Sequence, residues 1–289
     1  MTGILLIDKP SGWTSHDVVA KLRGLLGERR IGHSGTLDPM ATGLLVLFIG
    51  RATRAVEFAE AHDKRYLARL RLGISTDTRD IWGKTLSQRE VSVARDELEN
   101  ALARFRGELL QTPPMYSAIK QGGKKSYELA RAGIEAELPP RPVNISRLEI
   151  LGFEDGDWLL DVACSKGTYI RSLCHDIGES LGCGGAMSGL RRTAAGLFSV
   201  DRAVSLEQVS GAVSAGEAGR YLLRLDELFT DYPPLIAEPE QERKLRNGAA
   251  YGCEAEPGIY RVYGESGEFL MLGELRDGAM KTIKNFFEL

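Results

Sequence analysis

Cysteine and histidine are scarce. The 289 residues contain four cysteines (Cys164, Cys174, Cys183, Cys253) and four histidines (His16, His33, His62, His175). No two cysteines form a C-x-x-C pair and no histidine stands beside them at zinc-site spacing, so neither a zinc finger nor a disulfide framework is expected. The cysteines read as free thiols in a reducing compartment. Long apolar runs are missing as well: no stretch approaches the ~18 residues of a membrane helix. The opening, MTGILLIDKPSGW, lacks both a basic leader and a long apolar segment, so a signal peptide is not expected and the cytoplasm is the expected location. There is no phosphate-binding G-x-x-x-x-G-K-[ST] motif and no G-x-G-x-x-G after a strand, which argues against a bound nucleotide cofactor. Internal repeats and low-complexity tracts are absent.

What is present is ordinary in bulk and uneven in detail. Hydrophobic residues make up 43% and charged residues 27% of the chain, enough for a packed core without staples. The length suggests one large domain and one small one. The net charge of -3 names no polyanion partner. Through Arg202, however, there are 28 basic and 25 acidic residues, against 9 and 15 from Ala203 onward. Residues 104–147 hold 8 basic and 4 acidic residues, a local positive patch.

Periodicity marks out the elements. Ile4–Ile7 reads as a buried strand, broken at Pro10-Ser11-Gly12. Ser15 is placed to cap a helix carrying Val18, Val19, Leu22, Leu25 and Leu26, with Gly27 as its C-terminal stop. LLVLFIG reads as a strand and ATRAVEFAEAHD as a helix. KRYLARLRLG alternates as a half-buried strand does, and VARDELENALARFRGEL has the pattern of an amphipathic helix. A Pro-, Gly- and Lys-rich stretch from about Gln111 turns helical at Ser126. Two strands then flank the Asp155-Gly156 turn, and a loop at Ser165-Lys166-Gly167-Thr168 leads into a helix through Tyr169, Leu173 and Ile177. Beyond Pro233-Pro234, short strands punctuated by glycine suggest a small β-rich domain. The expected class is α+β, with a mixed, largely antiparallel sheet flanked by helices.

Four stretches could carry chemistry. In GHSGTLDPMATGLL, Asp38-Pro39 is by itself an ordinary helix start. Gly43 follows so closely that the segment is better read as a glycine-hinged loop, which can present a carboxylate to a cleft as nucleophile or base. His33, Ser34 and Thr36 share the loop and are individually more suited to tying its backbone. Tyr66 heads an alternating strand, where an aromatic is normally core but can also stack on a base. Lys166 and Tyr169 lie at a helix start, a place that favours anions. Arg171, just inside it, is either a surface cation or the partner of a buried carboxylate. Arg191 and Arg192, behind Leu190, form a weak phosphate-binding signal.

Taken together and in order, these stretches resemble one family: the bacterial TruB-type tRNA pseudouridine-55 synthases. GILLIDKPSGWTSHDVV, GHSGTLDPMATGLL, KRYLARLRLG, TDTRD (Thr76 to Asp80), PPMYSAIKQGGKKSYELARAG, CSKGTYIRSL, LRRTAAG and LRNGAAYG carry the likeness along nearly the whole chain. The resemblance implies the pseudouridine synthase fold over residues 1–230, with an RNA-clamping insertion at about 104–147. It also implies a PUA-like RNA-binding domain over 231–289. The activity it implies is isomerisation of the T-loop uridine at position 55 of tRNA. Asp38 matches the family's catalytic aspartate, Tyr66 the aromatic that packs on the target base and can act as general base, and Arg171 the arginine paired with the aspartate. Leu190 matches an apolar wall of the base pocket, and His33 the residue that fills the space left in the T-loop. Lys9 and Pro10 match the first motif; Lys166, Tyr169 and Arg191 are further candidates for RNA contact. Ser34 and Met40 stand where relatives often carry Thr and Leu, away from the implied chemistry.

No metal or cofactor is implied, since isomerisation transfers no net electrons. The implied partner is tRNA, through its T-arm and acceptor stem, met by a monomer with no obligatory protein partner and no membrane. The related guide-RNA-dependent synthases of box H/ACA particles would carry long basic extensions, and this chain starts at the first motif, so the stand-alone enzyme is expected. A non-catalytic RNA-binding module is disfavoured by the intact Asp38, Tyr66 and Arg171. A tRNA-folding role beside catalysis is a further expectation.

Overall fold

Two strands apolar at nearly every position need cover on both faces, and that need organises the body of the molecule. The computed structural model describes residues 1–117, 120–121, 124–126 and 138–288. Strand Gly3–Lys9 pairs antiparallel with Thr42–Ile49, Ile7 opposite Leu45. Leu5, Ile7, Leu45, Leu47 and Ile49 face one way, packing with Val18, Val19 and Leu22 of helix Ser15–Leu26 and with Leu206 and Val209 of helix Leu206–Ser214. Ile4, Leu6, Leu44, Val46 and Phe48 belong to a second cluster that includes Phe229, Leu272 and Phe286.

These strands end a nine-stranded sheet whose path runs Gly3–Lys9, Thr42–Ile49, Gly185–Ala195, Lys64–Leu72, Asp157–Cys164, Arg141–Glu154, Gly107–Gln111, with Ile31–His33 on Thr42–Ile49 and Phe198–Ser199 on Gly185–Ala195 off the path. Every pairing is antiparallel except the short one of Gly185–Ala195 with Thr42–Ile49. In Lys64–Leu72 the expected alternation sends Tyr66, Ala68 and Leu70 into a core with Leu160, Val162, Leu173 and Ile177. The opposite face carries Arg65, Arg69 and Arg71, which clamp the buried carboxylates Asp161 and Asp157. Asp155 and Gly156 both take positive φ (53° and 81°), so a two-residue turn joins their strands.

A second sheet of five strands follows in the order Pro234–Ile236, Gly258–Tyr263, Phe269–Arg276, Ala279–Asn285, Tyr251–Gly252. It is tied to the body by the aromatic contacts of Phe229 with Phe58, Phe269 and Phe286. Polar contacts at the rim add Arg54 to Asn285 Oδ1 (2.7 Å) and Lys284 to Glu57 (2.6 Å).

Local expectations were amended in four places. Thr14, not Ser15, caps the first helix: its hydroxyl accepts from the Asp17 amide while Asp17 reaches back to the Thr14 amide, a capping box that leaves Ser15 free for another task. The helix after Ile49 begins as a 3-10 helix, Gly50–Ala55, and becomes α only over Val56–Glu60. The amphipathic segment is helical over Arg95–Leu102, with a 3-10 turn after it, and from Gly107 becomes the edge strand. A helix over Pro239–Arg246 was not foreseen, because only Leu245 of its eight residues is buried and no apolar period announces it. Of the helix expected to begin at Ser126, Ser126 itself is described and is helical, and the residues after it up to 137 lie outside the described ones.

Candidate active site

The Asp38 loop is held by its backbone from several sides. Ser15 Oγ accepts from the Leu37 amide (2.9 Å) and donates to the Leu37 carbonyl (3.2 Å). The Pro39 carbonyl accepts from the Gly12 amide (2.8 Å) and from Lys9 Nζ (3.3 Å). The Ala41 amide closes a turn onto the Asp38 carbonyl (3.0 Å). Leu37, Met40 and Ala41 are core residues, so the loop is anchored on both sides of Asp38. The Asp38 side chain remains 35% exposed. A short loop pinned by buried neighbours thus presents one carboxylate to a cleft.

Lys9 is a buried cation in that support. Its ammonium donates to the carbonyls of Pro10 (2.9 Å) and Trp13 (2.6 Å) as well as Pro39. Burial lowers its pKa to about 8, against the upward pull of Asp38.

Arg171 meets Asp38 fork to fork, Nε to Oδ2 at 2.9 Å and Nη2 to Oδ1 at 3.1 Å. It is the second residue of helix Ile170–Ser180 and its side chain is 7% exposed. Nη1 donates to the Thr78 carbonyl (3.1 Å) and Nη2 also to the Tyr116 carbonyl (2.9 Å). Asp80 Oδ2 lies 3.6 Å from Nη1. Burial raises the Asp80 carboxyl above its ordinary range, opposed by hydrogen bonds from Thr78 Oγ1 (2.9 Å) and the Trp82 amide (3.0 Å) and by Arg171. The guanidinium therefore has acceptors on several sides and is fixed in orientation.

Tyr66 is buried beside the loop, and burial pushes its phenol up, with Arg192 pulling the other way. Arg192 faces Tyr66 in the antiparallel register. It donates to the Leu44 carbonyl (2.6 Å) and the Gly35 carbonyl (3.0 Å), tying strand to loop. On the far side, buried Gln111 clasps the Tyr169 backbone, accepting from its amide (2.7 Å) and donating to its carbonyl (3.1 Å). That clasp sets the entry to the Arg171 helix.

Asp38, Tyr66, Lys166, Tyr169, Arg171 and Leu190 all line one cleft of about 670 Å³. Lys166 is exposed at its edge, while Tyr169 is half-buried, its phenol raised chiefly by burial. The other three candidates stand outside the lining. Lys9 supports the loop from behind. His33 accepts the Gly35 amide on Nδ1 (3.3 Å), and burial lowers its pKa. Arg191 pairs with Asp8 (2.9 and 2.7 Å), and it is Arg192 that reaches the cleft. Adjacent strand residues point to opposite faces, so the Arg191-Arg192 pair on one strand carried that signal. Thr78, Asp80, Trp82 and Tyr116 were not singled out one by one, although the first two lie in the quoted TDTRD block. Among the described residues no cluster of His, Cys, Asp and Glu could hold a metal ion.

Residues 23–170 match the model of the TruB family pseudouridylate synthase N-terminal domain, and 171–229 that of the tRNA pseudouridylate synthase B C-terminal domain. A tRNA pseudouridine synthase B from Clostridium kluyveri is 40% identical, covering 99% of this chain and 100% of its own. One from Heliobacterium modesticaldum is 52% identical over 73% of this chain and 70% of its own. Among solved structures, a Cbf5-Nop10-Gar1 complex superposes with a TM-score of 0.74 at 26% identity, covering 99% of this chain and 85% of that one.

Proposed function

We infer the function from the family, since the chain belongs to the TruB pseudouridylate synthases. It is an isomerase that converts uridine to pseudouridine in tRNA. We assign the T-loop uridine at position 55 as its target. The observation that carries this reading is the bidentate Arg171–Asp38 pair standing with Tyr66 in one cleft.

A base inside a folded loop is out of reach, so the uridine is extruded into the cleft at a cost of a few kcal/mol. Tyr66 packs on the uracil and Leu190 walls it. Cleavage of N1–C1′ builds positive character on the sugar, which the Asp38 carboxylate stabilises. Arg171, held by backbone carbonyls as well, aims that carboxylate. The uracil then turns, C5 bonds to C1′, the C5 hydrogen leaves as a proton, and N1 takes up a proton in its place. Atoms and electrons balance without a cofactor or metal. Lys166 and Tyr169 supply RNA contacts around the opening, and Arg191 an RNA contact outside the cleft lining; Lys9 positions the loop, and His33 occupies the space the uridine leaves.

In this reading residues 1–230 are the catalytic domain, with the basic stretch about 104–147 gripping the T-arm, and 231–289 a PUA-like domain that meets the acceptor stem. The enzyme works in the cytoplasm as a monomer without an obligatory protein partner. Opening the T-loop also assists tRNA folding, an idea to be dropped if Asp38→Asn binds tRNA but does not speed its refolding.

Tritium release from a T-arm transcript labelled at uridine C5 tests the assignment. Wild type should release one tritium per transcript and Asp38→Asn none, while Asp38→Asn still binds the transcript. Silence from wild type on folded T-arm RNA would sink the assignment.

A further inference from the structure

Trp82 is 59% exposed, and of the large apolar side chains exposed among the described residues it is the one lining the active-site cleft. An indole left in water at that place has no packing reason to be there. Its setting is unusually fixed for a loop. The Trp82 amide donates to Asp80 Oδ1, which also accepts from Thr78 Oγ1. The Ile81 amide donates to the Met187 carbonyl and the Met187 amide to the Arg79 carbonyl, so the turn is stitched to the central sheet. Arg79, at φ 62°, donates to Ser172 Oγ (2.6 Å) and the Thr112 carbonyl (2.9 Å). At Gly83 a Cβ would fall 2.1 Å from Thr78 Oγ1 and 2.4 Å from Asp77 Oδ1, so only glycine lets the turn close this tightly.

A rigid backbone carrying an exposed aromatic at the edge of an RNA-binding cleft is the arrangement used to stack unpaired bases. We propose that Trp82 is a stacking platform for an unpaired nucleobase of the substrate loop, next to the uridine drawn into the cleft. This deepens the tRNA reading and rests on it. Trp82 is coupled to the chemistry by position: Asp80, which holds its amide, also faces Arg171. A base parked on the indole would hold the loop open while its neighbour occupies the Asp38 cleft. Stacking on any base is sequence-tolerant, so Trp82 contributes grip and register and leaves the choice of uridine to the pocket.

The test is steady-state tritium release from the labelled T-arm with wild type, Trp82→Ala and Trp82→Phe, alongside tryptophan fluorescence titrated with the same RNA. Aromatic stacking changes affinity by roughly 5- to 150-fold per base. Trp82→Ala should therefore raise KM about tenfold or more with kcat within about twofold, and Trp82→Phe should recover most of the loss. RNA should quench wild-type fluorescence, and Trp82→Phe should lose the larger part of that quench. An active wild type whose KM is unmoved in Trp82→Ala, or whose quench survives in Trp82→Phe, overturns the stacking role alone. An inactive wild type instead removes the tRNA reading on which the role depends.

Discussion

Lys9 shows how a single residue can support a site without reaching it. Its ammonium is shut away from water and satisfied by three carbonyls, one of them next to Asp38. With a pKa of about 8 in the fold and ~10.4 in the unfolded chain, the unfolded state binds more proton between those values. Stability therefore rises with pH across that window, and the burden of the buried charge is greatest below about pH 8. The gain is at most about 3 kcal/mol. Urea midpoints at pH 7.5, 9 and 10 should show wild type gaining on Lys9→Met as pH rises; a constant gap would mean that Lys9 is not the titrating group. Sequence reasoning reached Lys9 by family motif and not by its environment: the Pro10 and Trp13 carbonyls are close along the chain, but the Pro39 carbonyl and the burial of the ammonium come only with the fold. Arg191 was chosen over Arg192 for a similar reason: which of two adjacent arginines faces the cleft depends on strand register, which sets Tyr66 opposite Arg192.

At the level of elements, the exit from the Asp38 loop is a tight junction. Gly43 has φ 94°, and a Cβ there would lie 2.3 Å from the Arg192 carbonyl oxygen. Gly43→Ala combines backbone strain with a collision between neighbouring strands. It should cost roughly 2–4 kcal/mol and lower activity, since Arg192 braces Gly35 from the same strand. A wild-type urea midpoint for this variant would refute the account. The strands were readable because their burial is periodic or continuous: Tyr66, Ala68 and Leu70 are buried in alternation, and Thr42–Ile49 is apolar from Leu44 onward. The Asp155-Gly156 turn was readable from its own chemistry. Helix Pro239–Arg246 was not, because its charges carry no apolar stripe and a single leucine docks it.

Over the whole molecule, the two sheets share apolar material. Leu272 and Phe286 of the tail belong to the same cluster as Ile4, Phe48 and Phe229 of the body. Heating should therefore give one cooperative transition seen alike by circular dichroism and fluorescence. A chain ended at residue 232 should lose solubility or melt lower, with Phe58 and Phe229 stripped of cover; two resolved transitions in the full chain would contradict this. The β-rich character of the segment after Pro233-Pro234 was legible, but its joint core with the body was not, since Phe229, Phe269 and Phe286 lie on separate elements that only the fold unites. That union also fixes the span between the cleft and the five-stranded sheet. If the tail meets RNA as proposed, the molecule works as a gauge: an RNA reaching from Asp38 to the tail must fit one set distance, and an RNA too short or bent the wrong way touches only one of the two ends.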